Sequence, residues 1–244
     1  MILSHQQIEE IGAAVIQDFN EFYFHDSTVQ RSIFVRATPI EQLAREYLGL
    51  SIGFARLSMD GSICGLTCYA DTEFIFEDLG VIHTVSLKRN QVLLDSSFIE
   101  IGNVKKLYGK CRFTLAHECA HQILFQLECE DSRQRYRQTY SERKPYSLRD
   151  LKTREDWNEW QANALGAALL MPQEEVDRAM WFFAQCRTLI SYGGRFSYAD
   201  KLALSLLCQT LGVSKSAAVI RLRQLGYLEE HPYTEFSDPL EVWA

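Results

Sequence analysis

The sequence contains no apolar run approaching the ~18 residues of a membrane-crossing helix, so a membrane-spanning protein is not expected. Its start, MILSHQQIEE, turns acidic where a signal peptide would be basic and then apolar, which places the protein in the cytoplasm as an expectation. With no export signal, an odd seven cysteines read as reduced thiols, not as a disulfide framework. Positive charge is also short. The net charge of -7 argues against direct nucleic-acid binding by the protein as a whole. There is no internal repeat and no low-complexity tract, which excludes solenoids and arrays. What is present is 47% hydrophobic residues in 244, enough to bury a substantial core.

Ser4 and Gln7 form a capping box, and Ile8, Ile11, Val15, Phe19 and Phe22 follow at helical spacing, so a first amphipathic helix is expected to about Phe22. A second begins at Thr38-Pro39, with Thr38 as cap, and stops at Gly49. The texture then becomes β-rich: LSIGFARL, SICGLTCYA, EFIF, VIHTVSL and QVLLD, separated by Asp60-Gly61, Gly80 and Asn90. These runs predict a small, mostly antiparallel N-terminal sheet. From about Tyr108 the pattern is helical, interrupted by a polar stretch from Cys129 to Thr153. The fold class expected is α+β.

The segment CRFTLAHECAHQILF, residues 111–125, carries HExxH. Residues four apart on an α-helix are separated by only about 40°, so His117 and His121 share a face and can meet one ion. The surrounding Phe113, Leu115, Ala116, Ala120, Ile123, Leu124 and Leu127 predict a largely buried helix. Two unpartnered imidazoles there would be costly, whereas imidazoles bound to Zn²⁺ are satisfied. Glu118 is placed to act as a general base on water. A plain core helix and a structural zinc site are the competing readings.

A catalytic site needs a third ligand. In TREDWNEWQANALGAALLMP, Thr153 can cap a helix with Glu155 and Asp156 in its first turn, and Met171-Pro172 ends it. Glu159 and Asn163 lie four apart on that helix and suit a metal ligand and a side chain that orients a ligand by hydrogen bonding. Ala162, Leu165, Gly166 and Leu169 supply small and apolar packing positions.

RFTLAHECAH followed by EWQANALGAALLMP resembles the ImmA/IrrE family of zinc metallo-endopeptidases, which typically show RFTLAHE-xx-H and then E-x-x-A-N-x-F-A-A-x-L-L-M-P. TPIEQLAREYLGLSI upstream and LGVSKSAAVIRLRQLGYL downstream extend the likeness over roughly residues 38–228. The resemblance implies a zincin-like minimal metallopeptidase fold with a helical C-terminal half, Zn²⁺ held by His117, His121 and Glu159, and Glu118 as catalytic acid/base. It also implies selective cleavage of a protein substrate, often a DNA-binding repressor. Gln161 stands where many relatives carry a second glutamate, which favours Glu159 as ligand. Cys119 and Ala120 replace the usual leucine or isoleucine and glycine, and Leu165-Gly166 replaces Phe-Ala.

The domain organisation expected is residues 1–37 as an N-terminal helical extension, 38–230 as the peptidase domain and 231–244 as a tail. Within the domain, residues 200–228 have helix-turn-helix-like spacing: Gly212 breaks a helix, Ser214 caps the next and Gly226 ends it. A DNA-binding or partner-binding regulator with a non-proteolytic zinc site is the alternative function, with Lys215, Arg221 and Arg223 as its candidate DNA contacts. Cys64, Cys68, Cys111, Cys119 and Cys129 read as packing thiols, and His83 as a strand histidine. Residues 133–154 hold eight Arg or Lys and read either as a solvated loop or as a selector of an acidic partner. Nothing in the sequence sets the oligomeric state.

Overall fold

A computed structural model describes residues 2–24, 34–58, 60–78, 81–128 and 153–236. Among these the chain is mixed α and β, with seven α-helices and three small sheets. It divides into two compact units, Met1–His25 with Pro39–Leu169, and Asp26–Thr38 with Leu170–Ala244. The residues up to His25 thus cluster with the β-rich part and the histidine helix.

In the first unit, helix α1 spans His5–Phe24. The Ser4–Gln7 box forms in both directions: Ser4 N–H donates to Gln7 Oε1 at 2.9 Å and Gln7 N–H to Ser4 Oγ at 3.2 Å. The second expected helix is shorter than its pattern. Helix α2 covers only Ile40–Gln42 and passes into a π-helical turn at Leu43–Tyr47. Its N-cap is Pro39, with no side-chain capping bond, so Thr38 does not cap it. Gly49, with φ +66°, closes the turn in a conformation that glycine tolerates best.

Strands β1 (Ser51–Ala55), β2 (Gly65–Thr67) and β5 (Gln91–Asp95) form a sheet in the order β1-β5-β2, and β3 (Thr72–Asp78) pairs with β4 (Val81–Leu87) as an antiparallel hairpin. β1 runs parallel to β5 and β2 antiparallel to it. The expectation of mostly antiparallel pairing is thus corrected for β1. Its partner is the fifth strand, reached by a long crossover, and strand periodicity does not encode partner choice. Leu57, Leu66, Cys68, Phe74, Leu87 and Leu93 make the core between the sheet and the hairpin. Asp95 completes the turn beyond β5 by accepting from Leu57 N–H and Ser97 N–H, each at 3.0 Å.

Two long helices complete this unit. Helix α3 spans Asn103–Leu127, and helix α4 spans Arg154–Leu170 with Thr153 capping Asp156 N–H at 3.1 Å. Helix α1 lies tight against α4, since a Cβ at Gly12 would sit 2.9 Å from Ala168 Cβ.

In the second unit are α5 (Gln173–Ala184), α6 (Tyr198–Leu211) and α7 (Lys215–Gln224). A parallel pair, β6 (Leu189–Tyr192) with β7 (Leu228–His231), joins them; the sequence pattern did not signal it. The Gly212 break and the Ser214 cap are as expected: Gly212 adopts φ +65°, Ser214 Oγ accepts from Ala217 N–H, and α6 and α7 meet at 104°. No single helix among the described residues is long and apolar enough to cross a membrane.

The α1–α4 seam predicts that Gly12→Val lowers stability by about 1–3 kcal/mol, because the added methyls have no space without moving a helix. Urea unfolding followed by far-UV circular dichroism measures it; a midpoint equal to that of the parent chain would contradict the seam.

Candidate metal centre

Helix α3 buries an unbroken run from Thr114 to Ile123, so His117 and His121 are carried in the interior and not on a wet face. Their Nε2 atoms are 3.1 Å apart. Helix α4 brings Glu159 to the same point, with Oε2 at 3.2 Å from His117 Nε2 and Oε1 at 3.1 Å from His121 Nε2. All three residues are buried. Among the described residues this is the one group of at least three His, Cys, Asp or Glu side chains placed to hold a metal ion.

The donor set fits zinc. Ligands about 2.0–2.1 Å from a tetrahedral ion lie roughly 3.3 Å from one another; here the two imidazole nitrogens are 3.1 Å apart, and each has a different Glu159 oxygen at 3.1–3.2 Å. Protons alone serve this group poorly. Two facing imidazole nitrogens cannot both carry a hydrogen toward each other without repulsion, whereas a cation uses all three lone pairs.

Small residues make the convergence possible. A Cβ at Gly166 would lie 3.1 Å from both Cα and N of His117 and 3.2 Å from the Ala116 carbonyl carbon, so α4 meets the α3 backbone with no side chain between. Gly166 is seven residues beyond Glu159, hence on the same face, and the contact that admits one helix to the other also aims the carboxylate. Further round α3, a Cβ at Gly65 of β2 would come within 2.6 Å of Thr114 Cγ2 and 2.8 Å of Glu118 Oε1. Gln122 Nε2 ties the same strand end by donating to Thr67 Oγ1 at 2.6 Å and to the Cys68 carbonyl at 3.0 Å.

Glu118 is 1% exposed and sits one residue from a ligand on the helix that bears both histidines. Its charge contributes to raising the pKa of His121. Burial lowers the His121 pKa, but the hydrogen bond to Glu159 and the charges of Glu159 and Glu118 outweigh it and raise the value overall. Burial pushes the Glu159 carboxyl up, yet His117 and His121 hold it down at about 2. The centre is therefore a strongly coupled anion and imidazole set in a nearly dry site.

Asn163, one turn beyond Glu159, is half-buried and makes no hydrogen bond to a ligand among the described residues. Gln161 is buried, and its Oε1 accepts from the backbone N–H of Leu3 at 2.7 Å. Cys64, Cys68 and Cys119 are buried, Cys111 is half-buried, and every described cysteine is a free thiol. His83 is exposed on β4. Arg221, a candidate DNA contact, is 1% exposed and donates to the Met171 carbonyl at 3.0 Å, Lys215 lies over the Phe196 ring, and Arg223 pairs with Glu230. Cys129 and residues 133–152 of the basic segment lie outside the described residues, as do 237–244 of the tail. Of the residues that shape the centre, Gly65, Gln122, Tyr69 and Leu3 had no sequence signal beyond their place in a strand, a helix or a start. Tyr69 donates its hydroxyl to the His121 carbonyl at 3.3 Å and stacks on Phe125 with ring centroids 4.1 Å apart.

No protein-family model matches the chain, and no curated protein matches it.

The coupled charges set a pH dependence. Glu159, with its lowered pKa, contributes stability above its ordinary value near 4.5 and loses it as pH falls toward about 2. His121, with a raised pKa, contributes stability below its ordinary 6.5 and loses it as pH rises through the raised value. Without metal, the pair therefore stabilises most between roughly pH 4.5 and 6.5. A metal must displace the His121 proton, so the rise in melting temperature on adding zinc should be larger at pH 8 than at pH 6. The parent should bind about one equivalent of zinc by metal analysis, His121→Ala and Glu159→Ala should lose it, and Gln161→Ala should keep it. Loss of zinc in Gln161→Ala but not in Glu159→Ala would reassign the third ligand.

Proposed function

We propose that the protein is a zinc-dependent metallo-endopeptidase that cuts a peptide bond in a specific protein partner. One observation carries this reading: three buried ligand side chains converge from α3 and α4, two imidazole nitrogens 3.1 Å apart with a carboxylate oxygen at 3.1–3.2 Å from each, and a buried carboxylate lies one residue away on α3. A structural zinc site usually closes four protein ligands and favours cysteine, whereas three His and Glu donors leave a position for reaction. The resemblance to the ImmA/IrrE family favours a regulator, such as a DNA-binding repressor, as the partner.

In this mechanism His117, His121 and Glu159 hold the zinc. When bound, the ion supplies Lewis acidity, polarising a carbonyl and acidifying water. Glu118 does the proton work. Its carboxylate accepts the proton of the attacking water and delivers it to the nitrogen of the departing amine, so one residue serves as base and then as acid. Its burial suits both roles, because a dry carboxylate is a stronger base than a hydrated one. The tight contact with Gly65 limits where its oxygens can go, and Gln122 anchors the same strand.

The DNA-binding alternative has less to rest on. α6 and α7 meet at an angle common to helix-turn-helix units, but Arg221 is spent inside the second unit and Arg223 is paired with Glu230.

Glu118→Gln keeps the shape and removes the base. The variant should retain zinc and fold, bind its protein substrate, and cut it at least ~10²-fold more slowly. Single-turnover cleavage with parallel metal analysis tests this. A Glu118→Gln protein with full biological activity and no cleavage would favour a partner-binding role with a zinc-stabilised scaffold.

A further inference from the structure

The face of α3 that carries His121 continues one and two turns on to Leu124, Phe125 and Glu128, and there it borders a recess. The other walls are Tyr69, Asn158 and Gln161, together with Leu3 from the start of the chain. The recess thus begins at a ligand histidine, has an apolar lining from Tyr69, Leu124 and Phe125, and has amide groups at its edge. Leu3 is 7% exposed, while its neighbours Ile2 and Ser4 are exposed. With Leu3 in place the remaining cavity is about 20 Å³, room for a water molecule but not for a side chain.

We propose that Leu3 occupies, from within the chain, the place where the substrate presents a bulky apolar side chain beside the bond to be cut. The substrate class is accordingly a protein segment with a leucine-like or aromatic residue at that position. This rests on the peptidase reading above.

Three observations support it. First, the recess already recognises peptide, since Gln161 Oε1 accepts a backbone N–H, that of Leu3, at 2.7 Å, as it would from an incoming chain. Second, Leu3 is a separable occupant. It is held by its own side chain and by the backbone bond to Gln161, whereas α1 is anchored further on by buried Ile8 and Phe19 and by the close approach of Gly12 to Ala168. Residues 2 and 3 can therefore leave while Ser4 keeps its cap and α1 stays packed. Third, the position is informative: Gln161 is two residues from the ligand Glu159, and Tyr69 bonds the carbonyl of the ligand His121, so an occupant of the recess lies against both ligand-bearing helices. Release of Leu3 by a partner or by the substrate itself would expose the recess without disturbing the metal ligands.

The test compares the parent with Leu3→Ala and, as a second way to free the segment, Leu3→Asp, whose charge has no place in an apolar recess. Binding of glycine hydroxamate and leucine hydroxamate to the zinc-loaded proteins is measured by titration calorimetry. Glycine hydroxamate reads the metal alone and should bind all three alike. Leucine hydroxamate should bind each variant at least ~10-fold more tightly than the parent, as expected for an isobutyl group entering an apolar pocket. An unchanged leucine-to-glycine ratio in both variants overturns the proposal. A second arm needs no metal: benzene at saturation should raise the melting temperature of metal-free Leu3→Ala and leave that of the parent unchanged. No rise in Leu3→Ala overturns the claim that Leu3 fills a recess. A parent that takes up no zinc sinks the peptidase reading and the substrate class with it, while the benzene arm still decides whether Leu3 is a displaceable occupant.

Discussion

The centre depends on the contact between the Gly166 position of α4 and the backbone of His117 in α3. Helices ordinarily pack with side chains between their axes at about 8–10 Å. Here a missing side chain lets one backbone touch the other, and the residue that benefits is seven positions earlier on the same face. Glu159 reaches two imidazoles because Gly166 has nothing in the way. An alanine there would press on backbone, which cannot give as a flexible side chain can. Neighbouring small residues continue the pattern, with Ala162 buried on the same helix and Ala168 receiving α1.

That contact also explains the electrostatics. Burying a carboxylate beside two imidazoles would be unfavourable if each group were alone, and it is tolerated because the three charges and dipoles meet. The consequence is an opposed pair of shifts, with Glu159 held down and His121 held up. Both shifts describe a site prepared for a positive charge at its centre, whether that charge is a proton or a metal ion. Glu118 adds a second buried carboxylate on the same helix, against Gly65.

Much of this is legible in the sequence alone. Two histidines four apart on an apolar helix must share a face, and a glutamate opening an alanine- and glycine-rich helix is a poor candidate for a solvated charge; the structure brings these three together. The first helix and its capping box are equally readable, because local hydrogen bonds between Ser4 and Gln7 need no tertiary partner. Strand partners are not. β1 pairs with β5 across the hairpin, and β6 with β7, through choices that depend on which edges remain free, not on the alternation within a strand. Thr38 is misplaced as a cap because the threonine–proline pair looks like a helix start at either residue, and the helix takes Pro39. Arg221 escapes for another reason. Sequence gives its charge but not its burial, and only the fold shows the guanidinium spent on the Met171 carbonyl.

The ligands come from two segments that lie far apart along the chain, yet their spacing is stored entirely in how two helices touch. A change in the spacing of the ligands would therefore have to pass through the contact between the two helices. Gly166 and its small neighbours act in this sense as a gauge, setting the dimensions of the centre without touching its donor atoms.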